Sequence, residues 1–242
     1  MADAAFEHPR LAPLYDAFDD DRSDLEVYAA IAEELGARRI LDVGCGTGSF
    51  ATRLALRGYE PVGLDPAAAS LDVARAKPGA DRVRWLLGGA ASLPPLAVDL
   101  ATMTGNVAQA IVEPDAWAGT LRGIHAALRP GGHFVFETRV PARRAWEEWT
   151  REATYRALDV SGAGRVESWQ EVTDVSLPLV SFRTTFVFAA DGEVLTSDST
   201  LRFRERSEVE ADLQAQGYEL FEVRDAPDRP GRELVFLARR AI

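Results

Sequence analysis

Three glycines at every second position follow a short apolar run and precede a segment of helical character. The stretch reads LDVGCGTGSF, and its glycines are Gly44, Gly46 and Gly48. Because glycine has no side chain, a ligand can approach the main chain there, at the start of a helix. Asp65 follows about 20 residues later, where a carboxylate can accept hydrogen bonds from ribose hydroxyls. The pattern predicts a ligand held against bare backbone, with its ribose beside Asp65.

The glycine spacing distinguishes this loop from two well-known nucleotide-binding loops. A dinucleotide fingerprint reads G-x-G-x-x-G, and a phosphate loop ends in Gly-Lys-Ser/Thr. This chain has G-x-G-x-G and no lysine at that place. An enzyme that uses NAD is therefore disfavoured.

The segments around the loop alternate between buried strands and helices. Strand patterns at RRILDV, YEPVGLD, RVRWLL, VDLATMT and HFVFET are separated by stretches of helical periodicity. This alternation predicts an α/β fold whose parallel sheet is covered by helices on both faces. Towards the C-terminus, a helix with Ser207 as its expected N-cap precedes the closing strands YELFEVRD and RELVFLARR.

A segment with a different rhythm interrupts this alternation. Residues 142–206 contain stretches of alternating polarity and an Asp-Gly turn, which predict antiparallel strands. We expect one domain over residues 1–242, with this insertion as a substrate lid and residues 1–24 as a leading segment that caps the pocket. The inserted β subdomain is also a candidate homodimer interface.

Composition and charge narrow the classes of partner. The formal net charge of -11 opposes binding to a phosphate backbone, so we expect no nucleic acid partner. No run reaches the ~18 apolar residues of a membrane helix, and the N-terminus lacks a signal-peptide pattern, so we expect no membrane partner and a cytoplasmic location. Cys45 is the only cysteine, and no metal site is predicted.

Taken together, LDVGCGTG, GLD, LPPLAVDLATMTGN and LRPGGHFVFET closely resemble the class I S-adenosylmethionine-dependent methyltransferases. The resemblance covers the chain from about Ile31 to Arg139 and again from Glu205 to the end. It implies S-adenosyl-L-methionine as the cofactor and methyl transfer as the activity. The expected architecture is a Rossmann-like parallel sheet with helices on both faces, an antiparallel closing strand and an inserted antiparallel β subdomain.

The resemblance also implies which residues contact the cofactor. Asp42 and the three glycines match residues around its methionine part, and Asp65 matches the residue that holds the ribose. The full expected set is Tyr15, Asp42, Gly44, Cys45, Gly46, Gly48, Asp65, Pro66, Ala90, Ala91, Thr104, Gly105, Asn106 and Gln109. One departure is Gly89, because family members often carry an aspartate there that faces the adenine amine. We expect backbone carbonyls or water to replace that carboxylate.

Catalysis with an activated sulfonium methyl depends mainly on positioning, which can supply ~7–11 kcal/mol. Polar residues at strand ends are the catalytic candidates: Asn106 after the fourth strand, and Glu137 and Arg139 after the fifth. Asn106 could equally serve turn formation, and Glu137 with Arg139 could form a surface pair. Arg139, Trp146 and Trp149 are the predicted substrate contacts, although the tryptophan spacing also fits a helix stripe that packs on the core.

The acceptor is inferred mainly by exclusion. Family members that methylate nitrogens in proteins and nucleic acids tend to carry an Asn-Pro-Pro-Tyr-like motif after the fourth strand, where this chain reads TGNV. With the acidic balance, this favours a small-molecule acceptor, at oxygen or nitrogen. The alternative is a non-catalytic sensor or partner-binding protein that binds S-adenosylmethionine, and the missing adenine aspartate points to it.

Overall fold

A computed structural model of the chain describes residues 2–19 and 21–241. Of the leading segment 1–24, Met1 and Asp20 therefore lie outside the described residues. The α-helices are α1 (Ala4–Glu7), α2 (Tyr15–Phe18), α3 (Asp24–Glu34), α4 (Ser49–Leu56), α5 (Ala68–Arg75), α6 (Val107–Ala110), α7 (Pro114–Ala127), α8 (Arg151–Thr154) and α9 (Arg206–Ala215). The strands are β1 (Arg39–Val43), β2 (Glu60–Asp65), β3 (Arg84–Leu87), β4 (Val98–Met103), β5 (Leu128–Arg139), β6 (Arg156–Val160), β7 (Gly164–Ser176), β8 (Leu179–Phe188), β9 (Val194–Arg202), β10 (Tyr218–Asp225) and β11 (Glu233–Arg240).

Seven of the described strands form the main sheet, in the order β10-β11-β5-β4-β1-β2-β3. Strands β1 to β5 pair in parallel, whereas β11 is antiparallel to both of its neighbours. The predicted α/β fold with an antiparallel closing strand is confirmed. Chain order reverses between β1 and β4, which places the ligand crevice of such a sheet at their carboxyl ends.

Side-chain alternation on β5 divides the core into two layers. Phe134 and Phe136 stack on each other and face Trp117 of α7 on one side of the sheet. Val135 faces the other layer, which includes α3. Because Glu137 follows Val135 by two residues, its side chain lies on the α3 side, at the carboxyl end of the sheet.

Two element boundaries differ from the sequence expectation. β5 begins at Leu128 and includes the RPGG stretch expected to be a turn, because Leu128 already pairs with Val98 and a bulge follows in β5. α9 begins at Arg206 with Glu205 as its N-cap, and the cap makes no side-chain hydrogen bond. The expectation of Ser207 as N-cap is therefore wrong, because Ser207 already lies in the first turn.

The insertion forms an antiparallel sheet in the order β6-β7-β8-β9. Its last three strands were predicted, and β6 was missed because it lies in a stretch rich in arginine and tryptophan. Leu11 and Leu14 of the leading segment pack against Phe186 and Phe188 of β8. On the other side of that segment, the Ser70 hydroxyl donates to the Phe6 carbonyl at 2.8 Å. The leading segment thus joins the inserted sheet to α5.

Helices long and apolar enough to cross a bilayer are absent from the described residues.

Candidate cofactor and acceptor site

The glycine loop is a tight turn attached to β2. The amides of Gly44 and Cys45 both donate to the Leu64 carbonyl, at 2.8 and 3.1 Å. Gly44, Gly46 and Gly48 have φ values of +71°, +52° and +76°, which is the left-handed region that glycine adopts at little cost. The spacing of the three glycines therefore follows from three left-handed turns of the backbone between β1 and α4.

The three glycines have different surroundings. A Cβ atom on Gly44 would lie 2.5 Å from Val107, and one on Gly48 would lie 2.5 Å from Trp85. A Cβ atom on Gly46 would meet no atom within 4 Å. Gly44 and Gly48 are therefore needed for internal packing, and Gly46 is the loop glycine whose backbone faces open space. That all three glycines line a ligand stays a prediction, and Gly46 is the one of the three at which a side chain would extend into open space.

Asp65 connects the end of β2 to the glycine loop. Its Oδ2 accepts a hydrogen bond from the Gly46 amide at 2.7 Å, and its Oδ1 accepts one from the Ala67 amide at 2.8 Å. Burial raises the pKa of Asp65, while the two amide bonds lower it. A carboxylate has about four lone-pair sites, so acceptor capacity is left for ribose hydroxyls.

Asp42 at the end of β1 is a buried carboxylate beside the same loop. The Thr102 hydroxyl lies 3.3 Å from its Oδ1. The pKa of Asp42 is raised to about 7, mainly by burial and also by the charge of Asp65, while Thr102 and Arg22 act in the lowering direction. A buried carboxylate at the end of β1, the strand that leads into the glycine loop, fits a ligand with a cationic group. The two carboxylate acceptors and the open backbone thus suit S-adenosylmethionine, which carries both a ribose and an ammonium group.

The leading segment lies against the glycine loop. The hydroxyls of Thr47 and Ser49 both donate to Oδ1 of Asp16, at 2.7 and 3.1 Å, and Lys77 Nζ is 2.6 Å from Oδ2. Tyr15, its neighbour in the sequence, has a pKa raised to about 12, mainly by burial and secondly by Asp19. Sequence reasoning selected Tyr15 but missed Asp16 and Lys77, because their contacts span 28 residues or more.

The segment after β3 lies where the resemblance places the adenine. Gly89 has an extended backbone with φ -104°, and a Cβ atom there would meet nothing within 4 Å. Ala90 is buried against α7, so closely that a Cβ on Gly123 would lie 1.9 Å from its carbonyl oxygen. Pro66 and Ala91 are exposed. The Cys45 thiol in the loop has a pKa raised by burial, which makes it a poor nucleophile.

Buried polar side chains meet at the carboxyl ends of β4 and β5. The backbone amide of Asn106 donates to Oε1 of Glu137 at 3.0 Å, and its Nδ2 donates to Oε1 of Glu233 at 3.0 Å. All three residues are at most 5% exposed. Asn106 Oδ1 is buried and has no hydrogen-bond partner in the described part of the chain. Thr104 and Gly105 precede Asn106 at this strand end, Thr104 buried and Gly105 exposed.

Glu137 carries the most perturbed carboxyl of this group. Burial raises its pKa to about 7, and the nearby Glu233 raises it too; the amides of Asn106 and Gly105 and the charge of Arg229 oppose the shift. Glu233 itself is 2.8 Å from Arg229 Nη1. Sequence reasoning missed Glu233, although a glutamate that opens the otherwise apolar run ELVFLA was a signal for it.

Arg139 connects β5 to the insertion. Its Nη1 donates to Oε1 of Gln109 at 3.0 Å, and its guanidinium lies 5.7 Å from the ring centroid of Trp149. Gln109, expected at the cofactor, has its Nε2 directed to the Arg202 carbonyl at 3.4 Å and so bridges β5 and β9. Trp146 is 4% exposed and packs edge-on against Phe203. Trp146 therefore occupies a core position, and Trp149 is the tryptophan beside Arg139.

Residues 40–132 match the family model described as a methyltransferase domain. The match covers the glycine loop, Asp65 and the end of β4. This segment of the chain is therefore similar to methyltransferase domains. Over 110 residues it is 36% identical to an uncharacterized methyltransferase of Mycobacterium tuberculosis, covering 43% of this chain and 41% of the relative. The chain thus spans about two fifths of the length of that methyltransferase.

Solved structures share the fold over nearly the whole chain. An S-adenosylmethionine-dependent methyltransferase from Clostridium acetobutylicum has a TM-score of 0.75 at 16% identity, covering 96% of this chain and 98% of that one. A sugar N-methyltransferase from Streptoalloteichus has a TM-score of 0.76 at 18% identity, covering 94% and 93%. At 16% and 18% identity, the likeness to these two solved structures shows the fold alone.

Proposed function

We propose that this protein transfers a methyl group from S-adenosyl-L-methionine to a small-molecule acceptor. The observation that carries the proposal is the geometry at Gly46, a left-handed glycine that faces open space while its amide is bonded to Asp65 at 2.7 Å. A side chain would close this space, and the carboxylate beside it retains acceptor capacity for hydroxyl groups. The family match and the position at the carboxyl ends of β1 and β2 support the same ligand.

The residues around the loop have separate tasks in this proposal. Asp65 holds the ribose, Asp42 attracts the cationic methionine part, and the segment from Gly89 to Ala91 flanks the adenine. When bound, the cofactor supplies a methyl group that its sulfonium sulfur has already activated. Tyr15 and Asp16 cover the loop and exclude water from it. The protein's contribution to in-line displacement is then mainly positioning.

A small acceptor suits the buried strand ends and the enclosing segments. We assign the leading segment 1–24 and the insertion 142–206 to closure of the site, with Arg139 and Trp149 on the acceptor side. The net charge of -11 opposes nucleic acid as the acceptor. The related fold of a sugar N-methyltransferase supports an acceptor of that size. We further propose a cytoplasmic protein that forms a homodimer through the inserted sheet.

Two valine substitutions test the loop. Gly46 and Gly58 lie at opposite ends of α4, both have left-handed backbones, and neither has an atom within 4 Å of a Cβ position. Gly46→Val and Gly58→Val should therefore carry similar strain, on the order of 1–2 kcal/mol. In calorimetric titrations, wild type and Gly58→Val should bind S-adenosylmethionine and its demethylated product in the micromolar range. Neither protein should bind NAD.

Gly46→Val should lose binding of both sulfur compounds by at least about 100-fold while remaining folded, since a branched side chain fills the space beside Asp65. Circular dichroism melting confirms folding of each variant. Normal cofactor binding by folded Gly46→Val would place the cofactor elsewhere. Equal loss of binding in Gly58→Val would mean that backbone strain, and not occupation of the loop, is responsible.

A further inference from the structure

The carboxyl ends of β4 and β5 and the amino end of β11 hold a group of buried polar side chains whose free hydrogen-bonding atoms are all acceptors. We call Asn106, Glu137 and Glu233 the acidic cluster. Each of its residues is at most 5% exposed. Within the cluster the hydrogen-bond donors are already used, whereas acceptor atoms are left over. Such a site favours a ligand that brings N–H or O–H donors.

Asn106 shows this most clearly, because its amide orientation is fixed by its neighbours. Its Nδ2 donates to Glu233 and its backbone amide donates to Glu137, each at 3.0 Å. Rotating the amide by half a turn would bring its oxygen against the Glu233 carboxylate, which accepts only. Oδ1 is therefore held in place as a buried acceptor that no donor in the described residues satisfies. Leaving such an atom without a partner costs ~1–3 kcal/mol.

The two carboxylates of the cluster differ in whether a cation pairs with their negative charge. Glu233 lies 2.8 Å from Arg229 and 3.8 Å from Arg139, so its charge is paired. Glu137 accepts from the backbone amides of Asn106 and Gly105, and none of the ion pairs within the described ranges includes it. The charges of Arg229 and Arg139 act on Glu137 without forming an ion pair with it, because Arg229 pairs with Glu233 and Arg139 donates to Gln109. A buried carboxylate without a paired cation destabilises the fold unless a ligand supplies the cation.

The location of the cluster connects this unpaired charge to the reaction. Asn106 follows β4 and Glu137 lies near the carboxyl end of β5, at the edge where an open parallel sheet places its ligands. The glycine loop follows β1 at the same edge. The chain also has an excess of 11 acidic charges, which attracts cations to its surface.

We propose that the acidic cluster binds the methyl acceptor as a small-molecule ammonium, with Asn106 Oδ1 and the Glu137 carboxylate accepting its N–H bonds. The inference rests on the proposed methyl transfer and names its substrate class. An ammonium satisfies both leftover features, since it supplies donors to Oδ1 and positive charge to Glu137. A neutral hydroxyl could satisfy Oδ1 but would leave the carboxylate uncompensated.

The same carboxylate has a task in the chemistry. An ammonium nitrogen has no lone pair, so R–NH3+ must first give one proton to the Glu137 carboxylate. The nitrogen lone pair of R–NH2 then forms the bond to the sulfonium methyl, and the electron pair of the broken carbon–sulfur bond stays on sulfur. The product R–NH2+–CH3 retains the positive charge that the cluster binds. The raised pKa of Glu137, about 7, suits a group that takes up this proton.

The first test needs no knowledge of the acceptor. At pH 8, Glu137→Gln should raise the melting temperature of the ligand-free protein by at least ~2 °C, because it removes an unpaired buried charge and keeps the bond from Asn106. The matched variant Glu233→Gln should lower it, because Arg229 loses the closer of its two carboxylate partners. If Glu137→Gln lowers the melting temperature as much as Glu233→Gln does, the carboxylate is structural and the proposal is wrong.

The second test uses matched amines and alcohols as probes. Each probe is added to the protein saturated with S-adenosylhomocysteine. The pairs are glucosamine with glucose, cyclohexylamine with cyclohexanol, and 2-phenylethylamine with 2-phenylethanol. At least one amine should raise the melting temperature of wild type more than its alcohol does, and Glu137→Gln should lose this difference. The same amine should be methylated when S-adenosylmethionine replaces the product, and its rate should fall at least ~100-fold in Glu137→Gln.

The outcomes separate the two proposals. Binding of S-adenosylhomocysteine by wild type, measured in the same melting curves, reports on the proposed function alone. If that binding is present but alcohols are stabilising or methylated as well as amines, the amine assignment is overturned and methyl transfer stands. The amine assignment is equally overturned if no amine stabilises wild type beyond Glu137→Gln. Absence of cofactor binding overturns both.

Discussion

Asp65→Asn is the substitution whose effect follows most directly from the structure. The carboxylate accepts the Gly46 amide at 2.7 Å and the Ala67 amide at 2.8 Å, each through a different oxygen. An asparagine side chain of the same shape has one acceptor oxygen, so it can keep only one of the two bonds. Its NH2 group then faces the other amide, donor against donor.

The expected change in the free energy of unfolding of Asp65→Asn combines two opposing effects. Losing a hydrogen bond to a charged acceptor costs ~1.5–3 kcal/mol. Part of this is returned, because burial opposes ionisation of Asp65 and raises its pKa, so a neutral side chain is easier to bury. We expect a net loss of about 1–2 kcal/mol in the free energy of unfolding, or a melting temperature lower by about 2–8 °C in a chain of this length. Affinity for S-adenosylmethionine should fall roughly 10- to 100-fold, since both the loop and the ribose lose the carboxylate.

Differential scanning calorimetry and titration of S-adenosylmethionine measure the two effects on one sample. Asp72→Asn is the control, because Asp72 lies on α5 with a side chain that is 75% exposed and pairs only with Arg75 there. An exposed pair of this kind contributes ~0–1 kcal/mol, so the control should resemble wild type. An Asp65→Asn variant with unchanged melting temperature and cofactor affinity would refute the account of this loop, as would equal losses in the control.

Two further substitutions probe the cofactor site. Gly89→Asp should tighten S-adenosylmethionine binding roughly 3- to 10-fold in titrations, because it restores an acceptor for the adenine amine at an extended position with open space around it; unchanged or weaker binding would contradict this placement of the adenine. Asp42 has a folded-state pKa of about 7, above its ordinary value, so its contribution to stability is complete below about pH 4 and is lost as pH rises through 7. Melting temperatures of ligand-free wild type should therefore fall relative to Asp42→Asn between pH 5 and 8, and parallel curves would count against a buried, titrating Asp42.

Much of the sheet was predictable because its signals are local. Segments of five or six residues that are mostly apolar, each followed by a helical period, specify β1, β2 and β4 without reference to the rest of the chain. The glycine loop and Asp65 were predictable for the same reason, since a left-handed turn after a strand restricts the residue types within that turn. Boundaries were less certain at β5, where pairing with β4 extends the strand through Pro130 and Gly131.

The sequence by itself determined the α/β sheet, the loop and the carboxylate that holds it, because strand alternation and glycine conformation depend on near neighbours. Only the tertiary structure decided that Gly44 and Gly48 serve packing while Gly46 faces open space, since Val107 and Trp85 approach the loop from other elements. Likewise, Glu233 meets Asn106 across 127 residues of chain, and only the pairing of β11 with β5 brings them together. Whether a carboxylate is paired or left for a ligand depends on such long-range contacts, and no local pattern encodes them.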